Sequence, residues 1–342
     1  MIPLPPAPDR LIGLSGLPAF GVYGGAVRRL NLEDFDFTSI RRGLACRIRK
    51  LARLYLKRWH YVGVVHPNFI LGAACVDLSY MGNVFVYLFD RRTRELYPFE
   101  TLLALSRGLE LAESAVTGTT RFRTTGLDLT FDQARMPNTV RIRAQERLLA
   151  DVSLDSSGMS PLSCITRIGL GGFNYTHKLA GIPAQGEVEI DGRRFNAEGS
   201  WAVVDFTAGI PARETFWNWA SGGGRCESGR LFGINLAAGI NETGFTENAF
   251  WLDGRMHKVD AVHFDYDRRD LMRRPWRITS SDGKIDLTFA PEDRRAAKVN
   301  ALVVASAFQQ PFGSFSGVLR AEQAEERVAE GYGFVEEHYA RW

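Results

Sequence analysis

The residues best able to do chemistry are concentrated between positions 174 and 251, where carboxylates, amides and tryptophans alternate with glycines. Asp205 follows Trp201 and Val203 at every second position of a predicted strand, so the three side chains share one face. A carboxyl group buried beside Val and Trp is desolvated, which favours its protonated form. Because a protonated carboxyl can donate a proton to a substrate, we predict that Asp205 is a general acid.

Neighbouring segments supply a second carboxylate and groups suited to binding a substrate. Glu247, in GFTENAFW, is predicted to be the second catalytic residue and to orient water or a substrate oxygen. The predicted substrate-binding residues are Asn174, Tyr175, His177, Lys178, Trp201, Arg213, Trp217, Asn218, Trp219 and Asn248. Aromatic ring faces stabilise a developing cation by about 0.5–2 kcal/mol each. The clustering favours a pocket wall, with ordinary packing and hydrogen bonding as the alternative for each residue taken singly.

Two motifs that resemble cofactor or metal sites lack the context that those sites need. The run GLGGFNY, residues 169–175, is glycine-rich but is not followed by a helix start, as a phosphate loop would be. We therefore assign its glycines to a strand bend. His263, Asp265 and Asp267 alternate with apolar residues, which is typical of a half-buried strand with its polar side in water. We expect neither a cofactor nor a metal.

Composition limits the classes of protein that the chain can belong to. Its 342 residues are 45% hydrophobic and 24% charged, which is typical of a globular protein. A formal net charge of +3 is small for this length and argues against nucleic-acid binding. The N-terminus has neither the basic nor the apolar region of a signal peptide. Four scattered cysteines form no CxxC pair, so we predict reduced thiols and a cytoplasmic location.

The elements that must position these residues are strands. Most segments after residue 59 alternate apolar and polar residues, and three hairpins are predicted at Asp191-Gly192, Asp253-Gly254 and Asp282-Gly283. Many consecutive hairpins call for closed or paired sheets, because a long open sheet leaves exposed edges. We predict a mainly β fold of two antiparallel barrels with few short helices. The serine- and glycine-rich run at 154–163 predicts domains at 1–158 and 159–342.

One basic amphipathic helix is predicted near residues 39–57. Leu44, Ile48, Leu51 and Tyr55 recur at helical spacing among arginines and lysines. This pattern favours a helix that packs its apolar stripe on a sheet. Weak contact with an anionic membrane surface is the alternative. The sequence predicts no oligomeric state.

Five segments together resemble a bacterial family known as domain of unknown function 2804. They are GGFNYTHK, DFTAGIPARETFWNWASGGG, GINLAAGINETGFTENAFWLDGRMHKVD, PWRITSSDGKIDLTFAP and EEHYARW. The family is distantly similar to the lipocalin-like double-barrel group of AttH-like proteins, carotenoid 1,2-hydratase, tocopherol cyclase and fungal decalin-forming cyclases. The resemblance implies two lipocalin-like barrels and hydration, cyclisation or rearrangement of apolar molecules without a redox cofactor. The catalytic residues of that group do not align with this chain.

Three functions are consistent with these residues. The first is acid-promoted hydration, cyclisation or isomerisation of an apolar isoprenoid-, polyketide- or lipid-like molecule. The second is a non-catalytic carrier or sensor of a lipid-like ligand, which needs the aromatic rings but no acid. The third is a carbohydrate-active enzyme in which Asp205 and Glu247 form the carboxylate pair, with about 5–10 Å between the two groups.

Overall fold

The computed structural model describes residues 4–40, 48–300, 304–322 and 324–342. Across those residues the chain is almost entirely strand, arranged in two antiparallel sheets. The predicted mainly β class is therefore confirmed. The described helices are a four-residue α-helix, Arg49–Ala52, and three single 3-10 turns, Leu32–Asp34, Phe37–Ser39 and Arg53–Tyr55.

The first sheet contains fourteen of the described strands, all from the first two-thirds of the chain. They are β1 (Gly21–Gly24), β2 (Lys57–Val65), β3 (Phe69–Asp77), β4 (Met81–Asp90), β5 (Glu95–Ala104), β6 (Leu109–Glu110), β7 (Thr119–Arg123), β8 (Leu127–Asp132), β9 (Asn138–Ala144), β10 (Leu148–Leu154), β11 (Leu162–Ile168), β12 (Gly172–Ile190), β13 (Arg193–Asn196) and β14 (Ser200–Gly209). The main order is β5-β4-β3-β2-β14-β12-β10-β9-β8-β7-β6. Outside this order, β11 and β13 also pair with β12, and β1 pairs with β11.

The second sheet contains the nine remaining described strands. They are β15 (Glu214–Cys226), β16 (Leu231–Ala238), β17 (Ala249–Leu252), β18 (Arg255–Lys258), β19 (Val262–Asp265), β20 (Trp276–Ser280), β21 (Ile285–Asn300), β22 (Ala305–Ala321) and β23 (Ala324–Arg341). Their order is β18-β17-β16-β15-β23-β22-β21-β20-β19. The first sheet continues past residue 158 as far as Gly209, so the change of sheet comes later in the chain than the predicted domain boundary.

Both sheets curl so that distant strands meet. In the first sheet the ring of His60 on β2 lies 4.8 Å from the ring of Phe131 on β8. In the second, Asn218 on β15 donates to the hydroxyl of Tyr266, just after β19, at 3.0 Å. Each sheet is therefore a partly closed barrel with its own apolar interior, in agreement with the predicted double-barrel architecture.

The largest apolar core joins residues of both sheets, which pack against each other. At the crossing of β12 with β16 the two backbones almost touch. A Cβ on Gly233 would lie 2.1 Å from the carbonyl carbon of Ala180, so only glycine is tolerated there. A Cβ on Gly223 of β15 would likewise lie 2.9 Å from the Cβ of Trp201 on β14. Gly233 and Gly223, the second of the three glycines in the SGGG run, therefore let the sheets approach closely.

The predicted Asp-Gly hairpins are confirmed. Asp191 and Gly192 both have positive φ, 49° and 78°, as do Asp253 and Gly254, 48° and 78°. Positive φ at both central residues is the type I′ geometry that matches the twist of paired strands. The run 169–175 holds a hairpin turn between β11 and β12, with Gly169 and Gly171 at positive φ. The predicted strand bend is therefore wrong, because the chain reverses direction there.

The predicted basic helix near 39–57 is only partly within the described residues, since 41–47 lie outside them. The described portion is the short helix Arg49–Ala52, and β2 already begins at Lys57. Ile48 and Leu51 are 53% and 43% exposed, so the predicted packing of this stripe on a sheet is wrong for these two residues. A helix of one turn is too short to bury a continuous stripe.

Two further sequence features have a clear place in the structure. Cys75, Cys164 and Cys226 are buried free thiols. On β19 the side chains of His263 and Asp265 are exposed while Val262 and Phe264 are buried, as the alternation predicts. None of the helices in the described part of the chain is long and apolar enough to cross a membrane.

Candidate functional site

Lys178, Asp205 and Glu247 meet in the buried space between the two sheets. Lys178 on β12 lies directly opposite Asp205 on β14, and its Nζ is 2.8 Å from Asp205 Oδ1. Glu247, from the loop between β16 and β17, approaches the same Nζ to 3.3 Å with Oε1. All three residues are at most 6% exposed. We call these three residues the inter-sheet cluster.

Asp205 accepts from three donors at once. Besides Lys178, it accepts from Trp59 Nε1 at 3.3 Å and from Thr207 Oγ1 at 3.1 Å. These contacts place a buried ammonium, an indole N–H and a hydroxyl around the two carboxyl oxygens of Asp205. The sequence predicted that Asp205 is buried beside apolar residues, but it did not show that Lys178 is its partner.

Glu247 accepts a hydrogen bond from an amide side chain of its own loop, and that amide is hydrogen-bonded in turn to the first sheet. Asn241 Nδ2 donates to Glu247 Oε2 at 2.8 Å. The Oδ1 of Asn241 in turn accepts from Asn174 Nδ2 at 2.9 Å and from Thr166 Oγ1 at 3.2 Å. This chain of bonds fixes the loop across the sheet junction, so the second carboxylate has a defined position beside Lys178.

Lys178 remains charged despite its burial. Burial by itself lowers the pKa of an ammonium, but the charges and hydrogen bonds of Asp205 and Glu247 outweigh that effect, so the Lys178 pKa is raised. Its Nζ also lies 5.3 Å from the ring centre of Trp219, within cation–π range. The Lys178 ammonium is therefore shared by two carboxyl groups in a buried region.

A second polar chain runs through the same junction. Tyr87 donates to Gln310 Oε1 at 2.7 Å, so the 2.8 Å contact between the hydroxyls of Tyr61 and Tyr87 must have Tyr61 as its donor. Gln310 Nε2 donates to Glu336 Oε2 at 3.2 Å, and Trp217 Nε1 donates to Glu336 Oε1 at 2.9 Å. Burial raises the pKa of both tyrosines, which keeps their protons in place at neutral pH.

The two polar chains share one aromatic wall. The Trp219 ring, which faces Lys178, packs edge-to-face on Tyr61 with 5.7 Å between ring centres. Trp219 Nε1 donates to Asn235 Oδ1 at 2.9 Å, and this bond holds the indole in position. The junction between the sheets therefore combines charges, hydroxyls and ring faces in one buried region.

The structure brings together only part of the predicted site. Lys178, Asp205, Glu247, Asn174 and Trp219 are neighbours, and Trp217 belongs to the adjoining chain of Glu336. Tyr175 and His177 alternate with Asn174 and Lys178 along β12, so they point to the opposite side, into the first barrel.

The other four predicted binding residues lie apart from the inter-sheet cluster. Asn218 faces the interior of the second barrel, where it bonds Tyr266. The Asn248 side chain is used in hydrogen bonds to the backbone of neighbouring segments: its Oδ1 accepts from Ala237 N, and its Nδ2 donates to Asp260 O. Trp201 packs beside Tyr332 with 6.4 Å between ring centres. Arg213 is exposed in the segment between β14 and β15.

Several residues of this junction were not predicted from the sequence. They are Trp59, Tyr61, Tyr87, Thr207, Asn241, Gln310 and Glu336. Trp59 and Tyr61 are two residues apart on β2 and so share one face of the strand. Glu336 lies in EEHYARW, one of the segments that carry the family resemblance. Alternation could have placed the first two on one face, but only the packing of the sheets shows which face meets Asp205.

No group of three or more His, Cys, Asp or Glu side chains within the described ranges could hold a metal ion. The polar groups that converge at the junction are instead an ammonium, carboxyl groups, amides and indoles. Such a set is suited to proton transfer and to stabilising charge.

A family comparison matches the chain over residues 8–342 to the family described as domain of unknown function (DUF2804). The match covers nearly the whole chain, which therefore belongs to this family. No functionally curated protein matches it.

Solved structures with the same fold share little sequence with this chain. The crystal structure of CghA with Sch210972 is similar with a TM-score of 0.53 and 10% identity, over 84% of this chain and 88% of that one. Kievitone hydratase from Nectria haematococca is similar with a TM-score of 0.50 and 13% identity, over 83% and 88%. A protein of Nitrosomonas europaea assigned to AttH has a TM-score of 0.50 and 13% identity, over 82% and 92%. At these identities the likeness shows a shared fold.

Proposed function

We propose that this member of the DUF2804 family is an enzyme that hydrates, cyclises or isomerises an apolar small molecule without a cofactor. The observation that carries the proposal is the inter-sheet cluster, in which Asp205 and Glu247 hold the buried ammonium of Lys178. A buried charge cluster is costly to maintain, and such arrangements are concentrated at functional sites. The fold shared with a protein named as a hydratase supports the same class of reaction.

The proposed reaction starts with a proton passed from the inter-sheet cluster to a carbon–carbon double bond. We assign the proton to the three residues as a unit, because closely coupled groups share their protons. The cation that forms is stabilised by the negative charge that the departing proton leaves on the cluster and by the ring face of Trp219. Attack by water, which then loses a proton to the cluster, gives hydration. Attack by a second double bond gives a ring and a new cation, which loses a proton to the cluster. Direct loss of a neighbouring proton to the cluster gives an isomer.

Two polar atoms beside the inter-sheet cluster are suited to orienting a substrate oxygen or the attacking water. Asn174 Oδ1 and Thr176 Oγ1 are buried and have no hydrogen-bond partner among residues 4–40, 48–300, 304–322 and 324–342. Both lie on the face of β12 that carries Lys178. Because a buried polar atom without a partner is costly, these two atoms are candidates for contacts with a bound molecule.

The carbohydrate alternative is less well supported by the geometry. Asp205 and Glu247 are close enough to form a catalytic pair, because both touch one Nζ at 2.8 and 3.3 Å. The Lys178 ammonium, however, lies between them, where a glycosidic oxygen or a water would need to be. The carrier alternative needs the aromatic wall but gives no role to three buried charges.

The test is incubation of the purified protein with unsaturated isoprenoid and polyketide compounds in D2O, followed by mass spectrometry and NMR of the products. The proposal predicts a product with deuterium on carbon. It also predicts that Glu247→Gln slows its formation at least about tenfold. Glu326→Gln is the matched control, because it removes a buried carboxylate that pairs with Arg230 in the second sheet. Compounds that bind but are recovered unchanged would favour the carrier.

We also propose that the segment from Ile48 to Leu54 makes a weak contact with anionic membranes. Ile48, Leu51 and Leu54 are 53%, 43% and 41% exposed, and Arg53 beside them is also exposed. Apolar side chains inserted among lipid headgroups, together with nearby positive charge, give salt-sensitive binding. Flotation with phosphatidylserine vesicles should recover the protein at low salt and lose it at high salt. No recovery at low salt would contradict this contact.

A further inference from the structure

The first barrel contains a cavity of 410 Å³ on the side of β12 opposite the inter-sheet cluster. Apolar side chains from β12, β14 and a nearby loop form much of its wall, among them Leu179, Ile182, Val204 and Met159. His177 and Gln133 also line it, and they are 2% and 7% exposed. We call this space the first-barrel cavity. Its volume is in the range of small-molecule sites.

Both buried polar side chains in this wall, His177 and Gln133, have an atom that the described part of the protein leaves unsatisfied. His177 Nδ1 and Gln133 Oε1 are buried and accept or donate no hydrogen bond there. Buried polar atoms are almost always paired, so two unpaired atoms in one cavity wall call for an explanation. A bound molecule that supplies the missing hydrogen-bond partners would explain both atoms.

The orientation of the Gln133 amide is fixed by its neighbours. Gln133 Nε2 lies 2.6 Å from the carbonyl oxygen of Ala115, which can only accept a hydrogen bond. The nitrogen must therefore face Ala115, and the oxygen is the atom left for a ligand. A molecule that occupies the cavity must therefore supply a hydrogen-bond donor to Gln133 Oε1.

His177 is neutral at physiological pH. Burial, and to a smaller extent the charge of Lys178, lower its pKa to about 4. A neutral imidazole has one nitrogen that donates and one that accepts, so Nδ1 can pair with a hydroxyl in either tautomer. A hydroxyl group can donate to Gln133 and also pair with His177, whereas a carboxylate has no proton to donate to Gln133 Oε1.

We propose that the first-barrel cavity is a second binding site, separate from the inter-sheet cluster, for a small apolar molecule that carries a hydroxyl group. The apolar wall binds the hydrocarbon part, and Gln133 Oε1 and His177 Nδ1 bind the hydroxyl. This site is independent of the proposed chemistry at Lys178, since the two face opposite sides of the same strand.

The test is calorimetric titration of the full-length protein with two probes, thymol and p-cymene, which differ only in the hydroxyl. Thymol is expected to bind at least about tenfold more tightly, which corresponds to one well-formed hydrogen bond. His177→Leu and Gln133→Met should each weaken thymol binding about tenfold and leave p-cymene binding nearly unchanged. His263→Leu is the matched control, because His263 is exposed on β19, and it should bind both probes as the wild type does.

A second measurement on the wild-type protein avoids any effect of the variants on folding. With ¹⁵N-labelled histidine, thymol should shift the ring resonances of His177, whereas p-cymene should shift them much less. The proposal is overturned if thymol binds no more tightly than p-cymene, if it fails to bind, or if the His177 resonances do not respond. Loss of enzymatic activity plays no part in this test, so its outcome is distinct from that of the proposed function.

Discussion

Lys178 and Asp205 lie opposite each other on β12 and β14, with 2.8 Å between Nζ and Oδ1, and both are buried where the two sheets meet. His177, the neighbour of Lys178 in the chain, points into the first barrel. A single strand thus separates a charged region from an apolar cavity. This arrangement follows from the two-residue period of a strand, which sends adjacent side chains to opposite faces.

The first prediction concerns the stability of the inter-sheet cluster. Lys178→Met leaves two buried carboxylates without their cation, and we expect it to lower the free energy of unfolding by about 3–5 kcal/mol. Arg147→Met is the comparison, because the Arg147–Asp191 pair is exposed and its loss should cost less than about 1 kcal/mol. Urea unfolding followed by fluorescence measures both.

A further variant separates the loss of the ion pair from a general packing defect. The triple variant Lys178→Met, Asp205→Asn, Glu247→Gln removes all three charges, and it should regain much of the stability that Lys178→Met loses. If the single variant costs less than about 1 kcal/mol, the three groups are not the tightly coupled buried unit described here.

The second prediction concerns the pH dependence of stability. Burial lowers the pKa of His60 to about 3, and burial together with the Lys178 charge lowers that of His177 to about 4. The unfolded chain protonates these residues near pH 6.5, whereas the folded chain does not. The free energy of unfolding should therefore fall as the pH decreases from about 6.5 towards 4, by up to about 1.4 kcal/mol per pH unit for each histidine.

The contribution of His177 can be isolated by substitution. Urea unfolding of wild type and His177→Gln at several pH values between 7 and 4.5 should give a smaller slope for the variant. Carboxylates also titrate in this range, but they do so in both proteins, so the difference between the slopes reports His177. Equal slopes would mean that His177 is protonated alike in the folded and unfolded states.

The third prediction concerns the close contact of the sheets. In Gly233→Ala the new Cβ would lie 2.1 Å from the carbonyl carbon of Ala180 and 2.3 Å from the nitrogen of Gly181. Backbone atoms cannot move aside as a side chain can, so we expect a loss of about 3 kcal/mol or a failure to fold. Gly126→Ala is the control, because nothing lies within 4 Å of its Cβ, and its effect should be within about 0.5 kcal/mol.

Local rules explain why so much of the fold could be predicted from the sequence. The Asp-Gly pairs at 191–192 and 253–254 require positive φ, which few other residues adopt, and both form the predicted hairpins. Alternation also predicted that Val262 and Phe264 are buried while His263 and Asp265 are exposed. These features depend on a few neighbouring residues.

The candidate site was less predictable because its contacts join distant parts of the chain. Asp205 was identified as a buried carboxylate, but its partner Lys178 and the donor Trp59 come from two other strands. Tyr175 and His177 were grouped with Lys178 by sequence proximity, although the strand period sends them to the other face. The helix at Arg49–Ala52 is also shorter than helical spacing alone predicted.

The central claim is that the inter-sheet cluster supplies the catalytic proton, and the rate of one variant tests it most directly. Once a substrate is found, turnover by Asp205→Asn should be about 10²-fold or more below that of wild type. Its circular dichroism should stay native, and Glu326→Gln should turn over at the wild-type rate. A folded Asp205→Asn protein that works as fast as wild type would contradict the account.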